Sequence, residues 1–144
     1  MKIFEELKKD HEVQRDLLKQ LVNSSNEGDQ REELVKKVKK ELKSHAKSEE
    51  RFFYIEMIKH DKSQEDARHS ISEHHEIDEK LEELLDTKTS STAWLTHAKN
   101  LKELVVHHLD EEEEDIFEVA AKVLSDDEQQ ELGSNYRSLM ERER

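Results

Sequence analysis

Apolar residues recur along this chain in alternating steps of three and four, the period of a helix that buries one face. Phe4, Leu7, His11, Gln14, Leu18 and Leu21 form the first stripe and predict a helix from about Lys2 to Asn23, broken by Asn23 to Gly28. Val35, Val38, Leu42, His45, Glu49, Phe52 and Glu56, widened by Phe53 and Met57, predict a second from about Gln30 to Lys59. Ala67, Ile71, His74, Asp78, Leu81 and Leu85, with Ile77 and Leu84 beside them, predict a third from about Gln64 to Asp86. After the Ser/Thr-rich break Thr87 to Thr92, the stripe Leu101, Leu104, Val105, His108, Glu112, Ile116, Val119 and Val123 predicts a fourth, ending near Leu124. Ser125 and Glu128 have capping-box spacing. They start a short fifth helix that is expected to end near Leu132 and Gly133. Long amphipathic helices with short connections predict an all-α, up-down-up-down antiparallel four-helix bundle with that short helix at its C-terminal side. The bundle is expected over residues 1–133, with 134–144 as a polar, frayed tail.

Composition narrows the function more than the fold. At 144 residues the chain suits one domain. A 32% hydrophobic, 42% charged composition would suit a disordered chain, and it is the periodicity that argues otherwise. There is no Pro, and Gly occurs only at 28 and 133, so turn signals are few. A net charge of -13 argues against nucleic-acid phosphates and anionic membrane surfaces as partners. With no Cys, there are no disulfides, thiolate nucleophiles, iron–sulfur clusters or Cys-based zinc sites. No apolar run approaches the ~20 residues that cross a bilayer. The N-terminal residues have no signal-peptide core, and a cytoplasmic protein is expected.

The candidate chemistry lies in the placement of the nine histidines. His11, His45, His74 and His108 each sit on one of the stripes. They fall near the middle of each predicted helix, at about residues 12, 45, 75 and 108. In an antiparallel bundle, midpoints share one level. Three of these histidines have an acidic residue four positions on, on the same face: His45/Glu49, His74/Asp78 and His108/Glu112. One histidine on an apolar stripe is ordinarily a hydrogen-bonded core residue. Four at one level, with three acidic partners, need another account. Ionised carboxylates lose hydration in a core and need a cation or several donors. Imidazole with carboxylate suits iron, manganese or zinc rather than calcium or magnesium. Four histidines and two bridging carboxylates supply about eight of the roughly twelve positions that two six-coordinate ions require. A dinuclear centre with an open position fits that balance. His11, His45, Glu49, His74, Asp78, His108 and Glu112 are therefore the predicted metal ligands. His75 and His107 are expected nearby as supporting groups or alternative ligands. His60, His69 and His97 are expected at the surface. Within Glu111 to Asp115, only Glu112 is expected to point inward.

Asp10-His11-Glu12, the run His45 to Glu50, Glu73-His74-His75-Glu76 and the run His107 to Glu113 together resemble the haemerythrin-like, or HHE cation-binding, family. The likeness spans residues 1 to about 133. Its His-x-x-x-Glu-Glu element, followed by an aromatic nine residues after the His, occurs twice, from His45 to Tyr54 and from His108 to Phe117. The resemblance implies two iron ions joined by an oxo or hydroxo bridge, with manganese and zinc as alternative metals. It implies His11, His45, His74 and His108 as terminal ligands, and Glu49 and Glu112 as bridges. Asp78 stands where the oxygen carriers of the family have a further His, and Glu112 follows His108 by four where they have Asp at five. The Pro that often follows the aromatic is replaced by Ile55 and Glu118.

Three roles fit this expectation. A binding module would take oxygen or a related diatomic ligand. A redox enzyme would turn over peroxide, oxygen or nitric oxide, with Asp78 or a water held by His75 moving protons. An iron-handling or structural metal protein would have no open position. The family branch that repairs iron–sulfur clusters carries a cysteine-containing segment, and without Cys that role is not expected.

Overall fold

Each apolar stripe folds as a helix. The computed structural model describes residues 1–26 and 29–144. Helix α1 is Ile3–Val22, α2 Gln30–Glu49, α3 Ile55–Ile58, α4 Gln64–Leu85, α5 Thr92–Glu111, α6 Phe117–Val123 and α7 Asp126–Glu143. No strand occurs among the described residues. Glu27 and Gly28, the end of the first expected break, lie outside the described residues. Two caps work as their sequence suggests. The Ser91 hydroxyl accepts from the Ala93 amide at 3.2 Å. Ser125 and Glu128 close the capping box, each side chain accepting from the other's amide. No helix among the described residues is long and apolar enough to cross a membrane.

Two π-helical turns, Glu50–Tyr54 and Glu112–Ile116, join α2 to α3 and α5 to α6. A π turn holds one residue more than an α turn, so each rotates the buried stripe by one position. Phe53 and Met57, expected at the side of the stripe, are fully buried together with Tyr54, while Phe52 and Glu56, expected at its centre, are only half-buried. Beyond Glu112, Ile116 is buried as expected, but Phe117, Ala120 and Leu124 follow it into the core, while Val119 and Val123 are only half-buried. A fixed 3.6-residue period cannot anticipate that shift.

Contacts between helices fix their relative sense. Along α1, Phe4 meets Phe117, His11 meets Glu113 and Arg15 meets Asp110, so α1 runs against α5–α6. Glu49–His74 and Lys43–Asp78 set α2 against α4, and Glu73–His108 and Glu83–His97 set α4 against α5. Two apolar clusters result. One holds Leu18, Leu42, Leu81, Trp94, Leu101 and Val105. The other holds Ile3, Leu7, Phe53, Met57, Phe117 and Met140. The buried histidines and glutamates belong to neither cluster.

The C-terminal residues correct the expected frayed tail. Helix α7 continues through Gly133 to Glu143, and Tyr136, Leu139 and Met140 are buried. Gly133 is not a helix stop. A Cβ there would lie 2.3 Å from the Met1 carbonyl oxygen and 2.9 Å from the Ile3 nitrogen. Its missing side chain lets α7 press against the start of α1. Arg137 then pairs with Glu6, and Arg144 reaches Asp10 at 2.9 Å.

Candidate metal centre

The four stripe histidines converge in pairs. The rings of His11 and His45 have centroids 5.2 Å apart, and those of His74 and His108 are 4.9 Å apart. Each central carboxylate spans between histidines. Glu49 Oε1 lies 3.5 Å from His45 Nε2 and 3.2 Å from His74 Nε2. Glu112 places Oε1 3.2 Å from His11 Nε2 and Oε2 3.5 Å from His108 Nε2. Ligand atoms of His11, His45, Glu49 and Glu112 lie within 4.8 Å of one another, and so do those of Glu49, His74 and His108. Glu49 belongs to both groups.

Asp78 does not join them. Its side chain is 47% exposed and lies 3.6 Å from the Lys43 ammonium. Helix direction explains why. Glu49 follows His45 at the end of α2, and Glu112 follows His108 just past the end of α5. Because α4 runs the other way, the acid that follows His74 is displaced to the opposite side of the histidine level. The position one turn before His74, on the glutamate side, is the buried Ser70.

Each imidazole is held from behind through Nδ1. His11 donates to Glu113 at 2.6 Å, His74 to Glu50 at 2.9 Å and His108 to Glu73 at 2.9 Å. His45 bonds the Tyr136 hydroxyl at 2.6 Å, and that hydroxyl donates to Asp10, also at 2.6 Å. A protonated Nδ1 leaves the Nε2 lone pair facing inward, as a metal ligand requires. The sequence reading missed Glu50, Glu73, Glu113, Tyr54 and Tyr136. A signal for two of them existed, since Glu50 and Glu113 are the second Glu of the repeated His-x-x-x-Glu-Glu. Glu113 was expected in solvent, yet it also meets Arg15 at 2.9 Å. Tyr136 belonged to the supposed tail. His75 and His107 are exposed and touch none of the central ligands. His69 is exposed as expected, while His60 and His97 are partly buried.

The residues present fit bound metal cations. Nε2 of His11, His45 and His108, both Glu49 oxygens and Glu112 Oε1 are buried without a hydrogen-bond partner. So many orphaned atoms in one core are costly unless something coordinates them. The donor set, imidazole nitrogens with carboxylate oxygens, suits borderline first-row ions. The Tyr54 hydroxyl donates to Glu112. Charge is unevenly shared. Burial opposes charge on His11, but the adjoining Glu112 and Glu113 carboxylates outweigh it and raise its pKa to about 9. Burial and the neighbouring Glu112 push the Glu49 carboxyl well up. Burial acts the same way on Glu112, yet Glu49 and His11 hold it well below the usual carboxylate range. Burial also holds His45 well below the usual imidazole range.

Helices that converge two histidine pairs on shared carboxylates define a helical protein with a buried cation-binding site. The family description "Hemerythrin HHE cation binding domain" matches residues 2–120, and the chain belongs to that family. Its fold is similar to the crystal structure of a hemerythrin HHE cation-binding domain-containing protein from Mycobacterium kansasii. The TM-score is 0.89 at 24% identity, over 99% of this chain and 87% of the other. No curated protein matches the chain.

Proposed function

We propose that this chain is a haemerythrin-like, up-down-up-down four-helix bundle that holds two iron ions and binds oxygen or a related small ligand. The observation that carries this reading is the sharing of Glu49 by two groups of buried ligands whose inward atoms have no other partner. His11 and His45 would hold one ion and His74 and His108 the other, with Glu49 and Glu112 spanning both. An iron pair supplies redox chemistry and open coordination positions. A cytoplasmic setting goes with this reading.

The protein's own contribution is size selection. A cavity of about 10 Å³ lies against His45, His74 and His108, lined also by Gln14, Leu42, Ala46, Ile77 and Asp78. That volume is about enough for one water-sized molecule. Metal analysis with an azide titration of the visible spectrum tests the proposal. The expected result is about two irons per chain and absorption bands that move with azide. His45→Ala and His108→Ala should each lose at least one iron, while His60→Ala keeps both. Equal iron in all three variants would overturn the ligand assignment.

One observation favours a second reading, redox turnover of peroxide or nitric oxide. The Tyr54 hydroxyl is a proton donor against Glu112, and burial with the Glu112 and Glu49 charges raises its pKa well above the usual phenol value. It therefore keeps its proton at neutral pH. Under this reading Tyr54→Phe lowers peroxide turnover by about 10²-fold or more and leaves azide affinity unchanged. An equal turnover rate in the variant removes the reading.

A further inference from the structure

Two more His-x-x-x-Glu pairs lie outside the buried centre. His69 and Glu73 are four apart on α4, and His107 and Glu111 are four apart on α5, so each pair shares a helix face. Because α4 and α5 run in opposite senses, the pairs meet. His69 Nε2 lies 3.1 Å from Glu111 Oε1 and 3.6 Å from Glu73 Oε2. His107 Nε2 lies 3.4 Å from Glu111 Oε2. Ligand atoms of His69, Glu73 and Glu111 fall within 4.8 Å of one another. The His69 and His107 side chains are 56% and 69% exposed, whereas Glu73 is only 8% exposed. Glu73 points both ways. Its Oε1 accepts from His108 Nδ1, and its Oε2 faces His69.

We propose that His69, Glu73 and Glu111, with His107 flanking Glu111, form a peripheral site for a borderline divalent cation, zinc or iron(II), linked to the buried centre through Glu73. Neutral imidazoles with carboxylates select such ions over calcium or magnesium. Two carboxylates around one point also repel each other, and a divalent cation relieves that repulsion. The link is electrostatic. A cation on Glu73 Oε2 draws charge from Oε1 and weakens the bond His108 donates to it. The His108 ring then becomes a poorer ligand on its Nε2 side. The link rests on the proposed iron centre, but the peripheral site does not.

The test is a zinc titration of iron-loaded protein against a chromophoric chelator, with iron counted before and after. Wild type is expected to bind zinc beyond its iron. Affinity should fall at least about tenfold in His69→Ala and in Glu111→Gln, with iron content and helicity unchanged. His60→Ala serves as the control and should match wild type. Zinc should also move the visible bands of the iron centre in wild type but not in His69→Ala. Equal zinc affinity across the variants, or no zinc bound beyond the iron, overturns the site and leaves His69 and Glu111 as a surface contact only. Zinc binding without a band shift overturns the link. A preparation that holds no iron refutes the buried centre instead, and zinc binding at His69 is then read on its own.

Discussion

Gln14 illustrates how one side chain tunes the centre. It is 2% exposed, lines the small cavity beside the histidines, and its amide nitrogen has no hydrogen-bond partner. A buried donor left unpaired costs about 1–3 kcal/mol, which is recovered only when something accepts from it. A small anionic or diatomic ligand in the cavity would be such an acceptor. Gln14→Leu should therefore stabilise the ligand-free protein by about 1 kcal/mol and weaken azide binding about fivefold to tenfold. Paired chemical denaturation and azide titration measure both effects. A variant that binds azide as well as wild type would show that the amide faces no ligand. At this scale the candidate ligands were largely legible from residue type and spacing. Asp78 was not, because its i+4 spacing says nothing about which way its helix runs.

At the level of elements, the π turns and α7 complete the site. The first π turn begins directly after Glu49 and the second at Glu112 itself, and the first brings Tyr54 round to Glu112. Helix α7 supplies Tyr136, which holds His45 from behind. Gly133 sets how closely α7 can approach. In Gly133→Ala, the added methyl would meet backbone of the first three residues, which cannot yield as a flexible side chain would. The expected cost is about 1–3 kcal/mol from overpacking. Thermal denaturation of metal-loaded protein should register it, together with weaker iron retention as Tyr136 withdraws from His45. Unchanged stability would mean that α7 can shift without strain.

Across the whole molecule, a buried layer of charge couples stability to pH and to metal. His11 has a pKa of about 9 against an ordinary 6.5. Its stabilising contribution is complete below pH 6.5 and is lost as pH rises through about 9. The raised Glu49 acts in the same direction. The depressed Glu112 acts in the opposite one, and its contribution is lost in acid below its unfolded value of 4.5. Below pH 6.5 the depressed His45 opposes Glu49, so the clear change lies above it: protein stripped with a chelator should weaken by up to about 3 kcal/mol from pH 6.5 to 9. Metal-loaded protein should not weaken over that range, because a cation replaces the protons. Urea denaturation of both forms across pH decides the matter, and parallel profiles would refute it. Helix formation was legible because periodicity, caps and the absence of Pro act locally, within a turn or two. The histidine level was legible because residues at the middles of helices of similar length come together. Which acids enter the layer depends on helix sense, and the stripe beyond each glutamate depends on a π turn. The C-terminal segment looked like a polar tail until a partner surface gave Tyr136, Leu139 and Met140 something to bury against. Those features arise from contacts between residues far apart in the chain, and no local pattern encodes them.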